Sequence, residues 1–395
     1  MEKNIKYKYS SKDEYSKINK EEVSKRQQEH ESKQNYIYYE VNVDYYDEYE
    51  MYYLTIPNEY LNQIEDLRKR KEDIFAKGKI LTFTTKNNDF SFDAVIDSTE
   101  EEIYAYLVPI KEKYRYNYNL VGKYFVNERL GDLTYIRMKD AINEFIEGYS
   151  CSNHLEKYIL GEDMSQYENK QLKQIFNFNI YYDTYIPKYG GLSEVQIENI
   201  FYNEMNTIDL KSNINKNNTK LICLIIYVIY QVRKNFRDKI LICSSSNSVA
   251  DSISLELLKM NDYIYYPLNI LRIYAKNQEI VKRNKKLNSI SLHKLMTKRL
   301  KRKFIDRNEK KNWIIRRNDI IVSTCVNSYN DDIINYKFPF VIIIDANNSN
   351  ENENLIPITL KAKHVILISY KENNSEETNL YKRMKHLYPE NHINI

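Results

Sequence analysis

Four strongly apolar runs in the second half of this 395-residue chain constrain its fold more than any other feature. They are KILIC at 239–243, IIVSTC at 320–325, FVIIID at 340–345 and HVILIS at 364–369. A strand with one wet face alternates apolar and polar residues, whereas a strand apolar throughout must be covered on both faces. Helix-length segments separate these runs. The arrangement predicts an α/β fold with a parallel sheet, because a parallel return needs a crossover, usually a helix. The most apolar of the helical segments, LICLIIYVIYQV at 221–232, is too short to span a bilayer, so no membrane partner is expected.

The first half reads differently. Residues 11–34 are polar all round with helix-forming composition, which fits a stalk, a docked strut or a disordered segment. Then come YIYYEVNV, YYLTIP, KILTFT, FDAVID, IYAYLV and LVGKYFV, each of strand length and rich in aromatic and β-branched residues. Their spacing suggests a small β-barrel over 36–130. Residues 135–148 and 153–160 read as helices, with Gly148 and Gly161 near their ends. Further on, a helix at 193–206 and a weak strand are expected to precede a helix at 221–234.

Charge is divided unevenly. Residues 1–191 carry 27 Lys and Arg against 34 Asp and Glu, a net of −7; residues 192–395 carry 32 against 21, a net of +11. Residues 282–317 alone hold fifteen Lys and Arg against Asp306 and Glu309, a net of +13. Such a segment is either a solvated helical hairpin or a footprint for a phosphate backbone, with Lys298, Arg299, Lys301 and Arg302 as candidate contacts. Cys151, Cys223, Cys243 and Cys325 lie far apart with no paired histidines. They predict neither disulfides nor a zinc site, and they fit a reducing compartment. The opening MEKNIKYKYSSKDEY contains no apolar signal segment, so a cytoplasmic protein is expected.

The last glycine is Gly191, and the 204 residues after it contain none. A phosphate-binding loop needs glycine to reach φ > 0 and to bring successive N–H groups against the phosphates. The order of motifs in this same glycine-free half is nevertheless that of a nucleotide-binding domain. LSEVQIENIF at 192–201, CSSSNSVADSI at 243–253, ILRIYAKNQEIV at 270–281, STCV at 323–326, VIIIDANNSNENENLIPITLKAKHVILIS at 341–369 and NLYKRM at 379–384 follow one another in register. Together they resemble the superfamily 1 up-frameshift-type RNA helicases, the regulators of nonsense transcripts in nonsense-mediated mRNA decay.

That resemblance implies an α/β fold with a parallel RecA-like sheet of P-loop NTPase type, preceded by a helical stalk carrying a small β-barrel. It divides the chain into a helical stalk at 1–35, a β-barrel insertion at 36–130 and a helical stalk return at 131–188. The first part of the RecA-like domain follows at 189–281, a basic helical insertion at 282–317, and the remainder of that domain at 318–395. It covers only the front half of the family's core, so a second RecA-like domain with its arginine finger is expected to be lacking. In the family, ATP and magnesium are the cofactors. The resemblance places Gln196 against adenine, Asp345 on magnesium, Ser246, Asn247 and Asp251 in the motif gripping single-stranded RNA, and Thr324 on a phosphate.

The departures fall on the chemistry. The family's G-P-P-G-T-G-K-T loop aligns with residues 213–220, leaving Lys216, Asn218, Thr219 and Lys220 as remnants of the nucleotide site with no glycine among them. The glutamate expected after Asp345 is Ala346. No catalytic residue is intact, and neither bound ATP nor bound magnesium is expected. The expected function is that of a degenerate helicase relative binding single-stranded RNA or an mRNA-decay partner without ATP hydrolysis. Two alternatives stand beside it: an ATP-dependent helicase completed by a separate second RecA-like domain, and a structural remnant without activity. Residue by residue, Ser246 and Asn247 also suit a helix cap, Thr324 suits packing, Asp345 suits a relic, and Gln196 suits a cap. Tyr36, Tyr38, Tyr39, Tyr45, Tyr46, Tyr49, Tyr52 and Tyr53 could stack on bases, but coding bias and strand propensity explain them more simply.

Overall fold

The continuous apolar runs become strands of one parallel sheet. The computed structural model describes residues 7–34, 39–46, 51–62, 75, 79–87, 89–100, 104–109, 120–128, 132–164, 200, 203–210, 216–233, 235, 237–264, 267–275, 278–279, 284–298, 306–370 and 379–395. The chain divides into two units: Met1–Val23 with Thr134–Tyr274 and Lys285–Ile395, and Ser24–Leu133 with Ala275–Asn284.

In the first unit, seven strands form the sheet: β7 (Met205–Leu210), β8 (Ile240–Ser244), β9 (Ile270–Arg272), β10 (Ile320–Thr324), β11 (Phe340–Ile344), β12 (His364–Tyr370) and β13 (His392–Asn394). Their order is β13-β7-β12-β11-β8-β10-β9, and every pairing is parallel. Successive side chains of a strand point to opposite faces, and here both faces are apolar. Ile240, Ile242, Ile320, Val322, Ile342, Ile344, Ile366 and Ile368 pack with α5 (Lys216–Val232) and α6 (Asn247–Met260). Leu241, Cys243, Ile321, Val341, Ile343, Val365 and Leu367 pack on the other side, with α3 (Asp132–Glu147), α4 (Asn153–Leu160), α9 (Glu351–Ile358) and α10 (Leu380–Leu387). The strand order is consistent with a RecA-like P-loop domain. Residues 205 and 206 are strand, so the helix expected over 193–206 stops short of them; 193–199 lie outside the described residues.

A half without glycine must end its helices by other means. Side chains cap the starts: Ser246 accepts from Val249 N, Asp306 from Glu309 N, Asn379 from Lys382 N, and Asn350 forms a capping box with Glu353. Among the described residues of this half, only Asp345 (φ 63°) and Lys361 (φ 70°) enter the left-handed region. The earlier Gly161 has φ 81°, and a Cβ there would meet Tyr7 O at 3.0 Å, so any side chain at that helix end is strained and crowded. Two buried charges also anchor the core. Arg383, fully buried, donates to Glu351 through Nε at 3.1 Å and a terminal nitrogen at 2.6 Å.

The second unit contains a closed six-stranded antiparallel barrel. Its strands are β1 (Tyr39–Tyr46), β2 (Met51–Thr55), β3 (Ile80–Thr84), β4 (Ser91–Glu100), β5 (Tyr104–Pro109) and β6 (Gly122–Glu128), with a one-turn helix α2 (Asn58–Leu61) just after β2. They follow the order β1-β2-β5-β4-β3-β6, with β6 pairing back onto β1. Closure leaves no free edge. Alternate residues fill the interior, including Val41, Val43, Leu54, Leu81, Phe83, Phe92, Ala94, Leu107 and Val126. Tyr52 is buried, while Tyr39 and Tyr45 pack partly buried against the same core. Tyr36, Tyr38 and Tyr49 lie outside the described residues. The polar segment read at 11–34 is helix α1 (Lys12–Gln34).

One buried acid makes the fold pH-sensitive. Glu204 accepts from Ser152 Oγ at 3.0 Å and lies 3.2 Å from His154 Nδ1. Burial pushes its carboxyl up to about 7, against the pull of the Ser152 hydrogen bond. A raised carboxyl pKa favours the protonated folded form. Its contribution to stability is therefore full below the unfolded value and lost as pH rises through about 7. Glu204→Gln is expected to remove this dependence, making the variant the more stable form at pH 8 by roughly 3 kcal/mol, as measured by urea melts at pH 5 and pH 8.

Candidate functional site

Parallel strands place all their carboxyl ends at one edge of the sheet, where loops from several strands converge. At this edge Ile344 of β11 and Thr324 of β10 both pair with Ser244 of β8. The register therefore brings together the loop after β8, the end of β10 and the residue after β11. These carry Ser246 and Asn247, Thr324, and Asp345. Three predicted positions distant in sequence share one edge.

The loop after β8 is held from two directions. Ser246 caps α6, and Ser244 Oγ donates to Ser246 O at 2.7 Å. Asn247 and Asp251 both face Arg272, the last residue of β9. The guanidinium donates to Asn247 Oδ1 at 2.7 Å and, through Nε, to Asp251 Oδ1 at 2.9 Å. It also donates to Ile273 O at 2.8 Å and lies 4.0 Å from the Tyr274 ring centroid, while Tyr274 donates its hydroxyl to Asp251 at 2.8 Å. Arg272 is fully buried. Asn247 and Asp251 are thus engaged within the protein, and the half-exposed Ser245 and Ser246 and exposed Ser248 remain toward solvent. Thr324 is half-buried at its strand end.

Residues 290–291 of the basic insertion lie against the same edge. Arg272 N donates to Ile290 O at 2.8 Å, and Arg272 pairs with Ser291 in an isolated parallel bridge. A 3-10 turn at Lys285–Ser289, α7 (Leu292–Thr297) and α8 (Arg307–Arg316) follow, anchored by buried Leu287, Leu292, Ile314 and Ile315. Its cations have separate tasks. Lys310 Nζ donates to Met296 O and Lys298 O, closing the carboxyl end of α7, and Lys311 pairs with Asp332 at 2.7 Å. Lys239 does the same for α8 through Ile315 O and Arg316 O. Lys285, Lys294 and Lys298 are exposed. Arg299, Lys301 and Arg302 lie outside the described residues.

Of the positions aligned with the phosphate loop, those from Lys216 onward are described. α5 opens at Lys216, so Asn218, Thr219 and Lys220 are already helical; Thr219 is buried and Lys220 exposed. Gln196 lies outside the described residues. Asp345 is buried, with Oδ2 accepting from Ser245 Oγ at 2.9 Å and Oδ1 from Asn348 Nδ2 at 2.7 Å. Ala346 beside it is fully buried and has no carboxylate. Tyr370, at the end of β12, is buried near enough to Asp345 to feel its charge; its phenol has no hydrogen-bond partner among the described residues, and burial raises its pKa. At the end of β7, burial would raise the Asp209 carboxyl, but bonds from His392, Lys385 and Tyr381 hold it well below the carboxylate range. Among the described residues there is no cluster of acids, histidines and cysteines suited to a metal. Asp345, the carboxylate that the resemblance assigns to magnesium, has both oxygens bonded within the protein. Nor is any described helix long and apolar enough to cross a membrane.

Ser245, Arg272, Tyr274 and Asn348 were not singled out in the sequence. Arg272 offered a signal, being the one charge inside the apolar run ILRIY. A buried arginine needs acidic or carbonyl partners nearby.

Residues 282–368 match the family model described as an AAA domain. The chain is similar to the ATP-dependent helicase NAM7 of Saccharomyces cerevisiae, 25% identical over 264 residues, which cover 60% of this chain and 25% of that protein. It is also similar to Regulator of nonsense transcripts 1 of Dictyostelium discoideum, 26% identical over 170 residues, covering 37% of this chain and 12% of that protein. A Drosophila melanogaster homologue of the same regulator is 24% identical over 163 residues, covering 36% and 13%. The matches thus span about a quarter or less of these relatives' length. With the parallel sheet, the barrel and the register of the motifs, they make this chain a relative of the superfamily 1 up-frameshift-type RNA helicases.

Proposed function

We propose that this helicase relative binds single-stranded RNA at the carboxyl edge of its parallel sheet and along the basic insertion, without hydrolysing ATP. One observation carries the reading: the Asp345 carboxylate is bonded to Ser245 and Asn348 and followed by Ala346, while Ser245, Ser246 and Ser248 stay accessible. Nucleotide chemistry has lost its groups where a surface for a phosphate backbone is retained. The exposed lysines of the insertion supply the charge, and helix α1 serves as one arm of the stalk. An mRNA-decay protein as partner is the same reading's second form; the lysine charge favours RNA over it.

A salt titration tests this. Each neutralised phosphate contributes a log–log slope of about −0.7 for a single strand. Replacing Lys285, Lys294 and Lys298 together with glutamine is expected to flatten the slope by about 2. Lys310→Gln, which removes a helix cap, is expected to lower the melting temperature and leave the slope unchanged. Absence of binding at low salt, or a flat slope in the unaltered protein, would remove the proposal.

A further inference from the structure

Asp345 stands in an unusual backbone state. Its φ of 63° and ψ of 37° lie in the left-handed region, which costs a non-glycine residue free energy and persists only where the surroundings hold it. The support is visible. The 3-10 turn Ala346–Asn348 is fixed by Asn354 Nδ2 donating to Ala346 O at 2.9 Å and Asn379 Nδ2 donating to Asn347 O at 2.8 Å. Asn348 N donates to Asp345 O at 3.0 Å, and its side chain donates to Oδ1. The carboxylate therefore rests on a rigid base, with Oδ2 turned to Ser245 Oγ.

Ser245 is the first residue after β8, and the next is the cap of α6. Anchoring its side chain fixes the path of residues 245–248. We infer that Asp345 is a positioning residue for this RNA-facing loop, holding it through Ser245 rather than holding a metal. The inference rests on the RNA-binding reading above for its effect on affinity, while its structural half stands alone. A loop already set in its bound shape loses less conformational freedom when the strand arrives.

Two measurements on Asp345→Ala, Ser245→Ala, the double variant and Asp345→Asn test it. The first is amide hydrogen exchange of residues 245–249; the second is affinity for a fluorescent single-stranded oligoribonucleotide. Each alanine variant is expected to exchange faster over this segment and to bind about ten-fold more weakly, as loss of a charged hydrogen bond implies. The double variant is expected to be no worse than Asp345→Ala, because both changes break one bond. Asparagine tolerates the left-handed region and keeps an acceptor, so Asp345→Asn is expected to recover most of the loss. Ser245→Ala removes the bond from the half-exposed side and leaves the base intact, so it decides the matter even where Asp345→Ala folds poorly. Unchanged exchange in Ser245→Ala would overturn the positioning role, as would additive losses in the double variant. An unaltered protein that binds no RNA overturns the parent reading instead, and exchange then still decides on Asp345.

Discussion

Arg272→Leu is expected to lose about 3–5 kcal/mol of stability, the range for removing one partner of a buried ion pair. The guanidinium joins three pieces: Asn247 and Asp251 on α6, the carbonyl of Ile273, and Tyr274, whose ring lies beneath it. Leucine would leave the Asp251 carboxylate with the Tyr274 hydroxyl but no opposing charge from this side chain. Arg272→Lys keeps the charge yet cannot reproduce the fork, so a smaller loss is expected. Chemical denaturation checks both. A loss below about 1 kcal/mol in the leucine variant would mean that water replaces the guanidinium, contrary to its complete burial. RNA affinity is expected to fall along with stability, since this side chain holds the start of α6 through Asn247 and Asp251.

ATP turnover is the second large effect, and it is expected to be at background with or without RNA. A missing water-positioning carboxylate costs roughly 10²–10⁴ in rate. Phosphate handling is compromised independently, because no glycine stands among residues 213–220, which align with the family's phosphate loop. Losses in one constellation need not multiply. Restoring one member accordingly restores little, and Ala346→Glu is expected to leave phosphate release at background. Its side chain would also have to fit a fully buried position. RNA-stimulated phosphate release abolished by Lys220→Ala would defeat this expectation.

The sheet and the barrel were largely legible because their signals are local. Runs such as FVIII at 340–344 are apolar on both parities, and only a doubly covered strand needs that. The barrel's six segments each alternate, with Val41 and Val43 inward and Glu40 and Asn42 outward or toward solvent. β13 was not legible: HIN is three residues long, and its pairing with Thr207–Asp209 is set by distant chain. The motif residues could be located by register, yet their bonding could not. Nothing local in NSVAD says that Asn247 and Asp251 turn to an arginine 25 and 21 residues on. Likewise, the link from Ser245 to Asp345 spans 100 residues and arises only from the pairing of β8 with β11. The left-handed conformation of Asp345 is a tertiary effect as well, held by Asn348, Asn354 and Asn379.

The most direct test is the affinity for single-stranded RNA, measured once in EDTA and once in saturating magnesium with a non-hydrolysable ATP analogue. An edge whose loop is fixed by Ser245 and Asp345 and whose phosphate-loop positions lack glycine should give the same affinity and the same salt slope in both. A several-fold change caused by the analogue, and lost in Lys220→Ala, would contradict it.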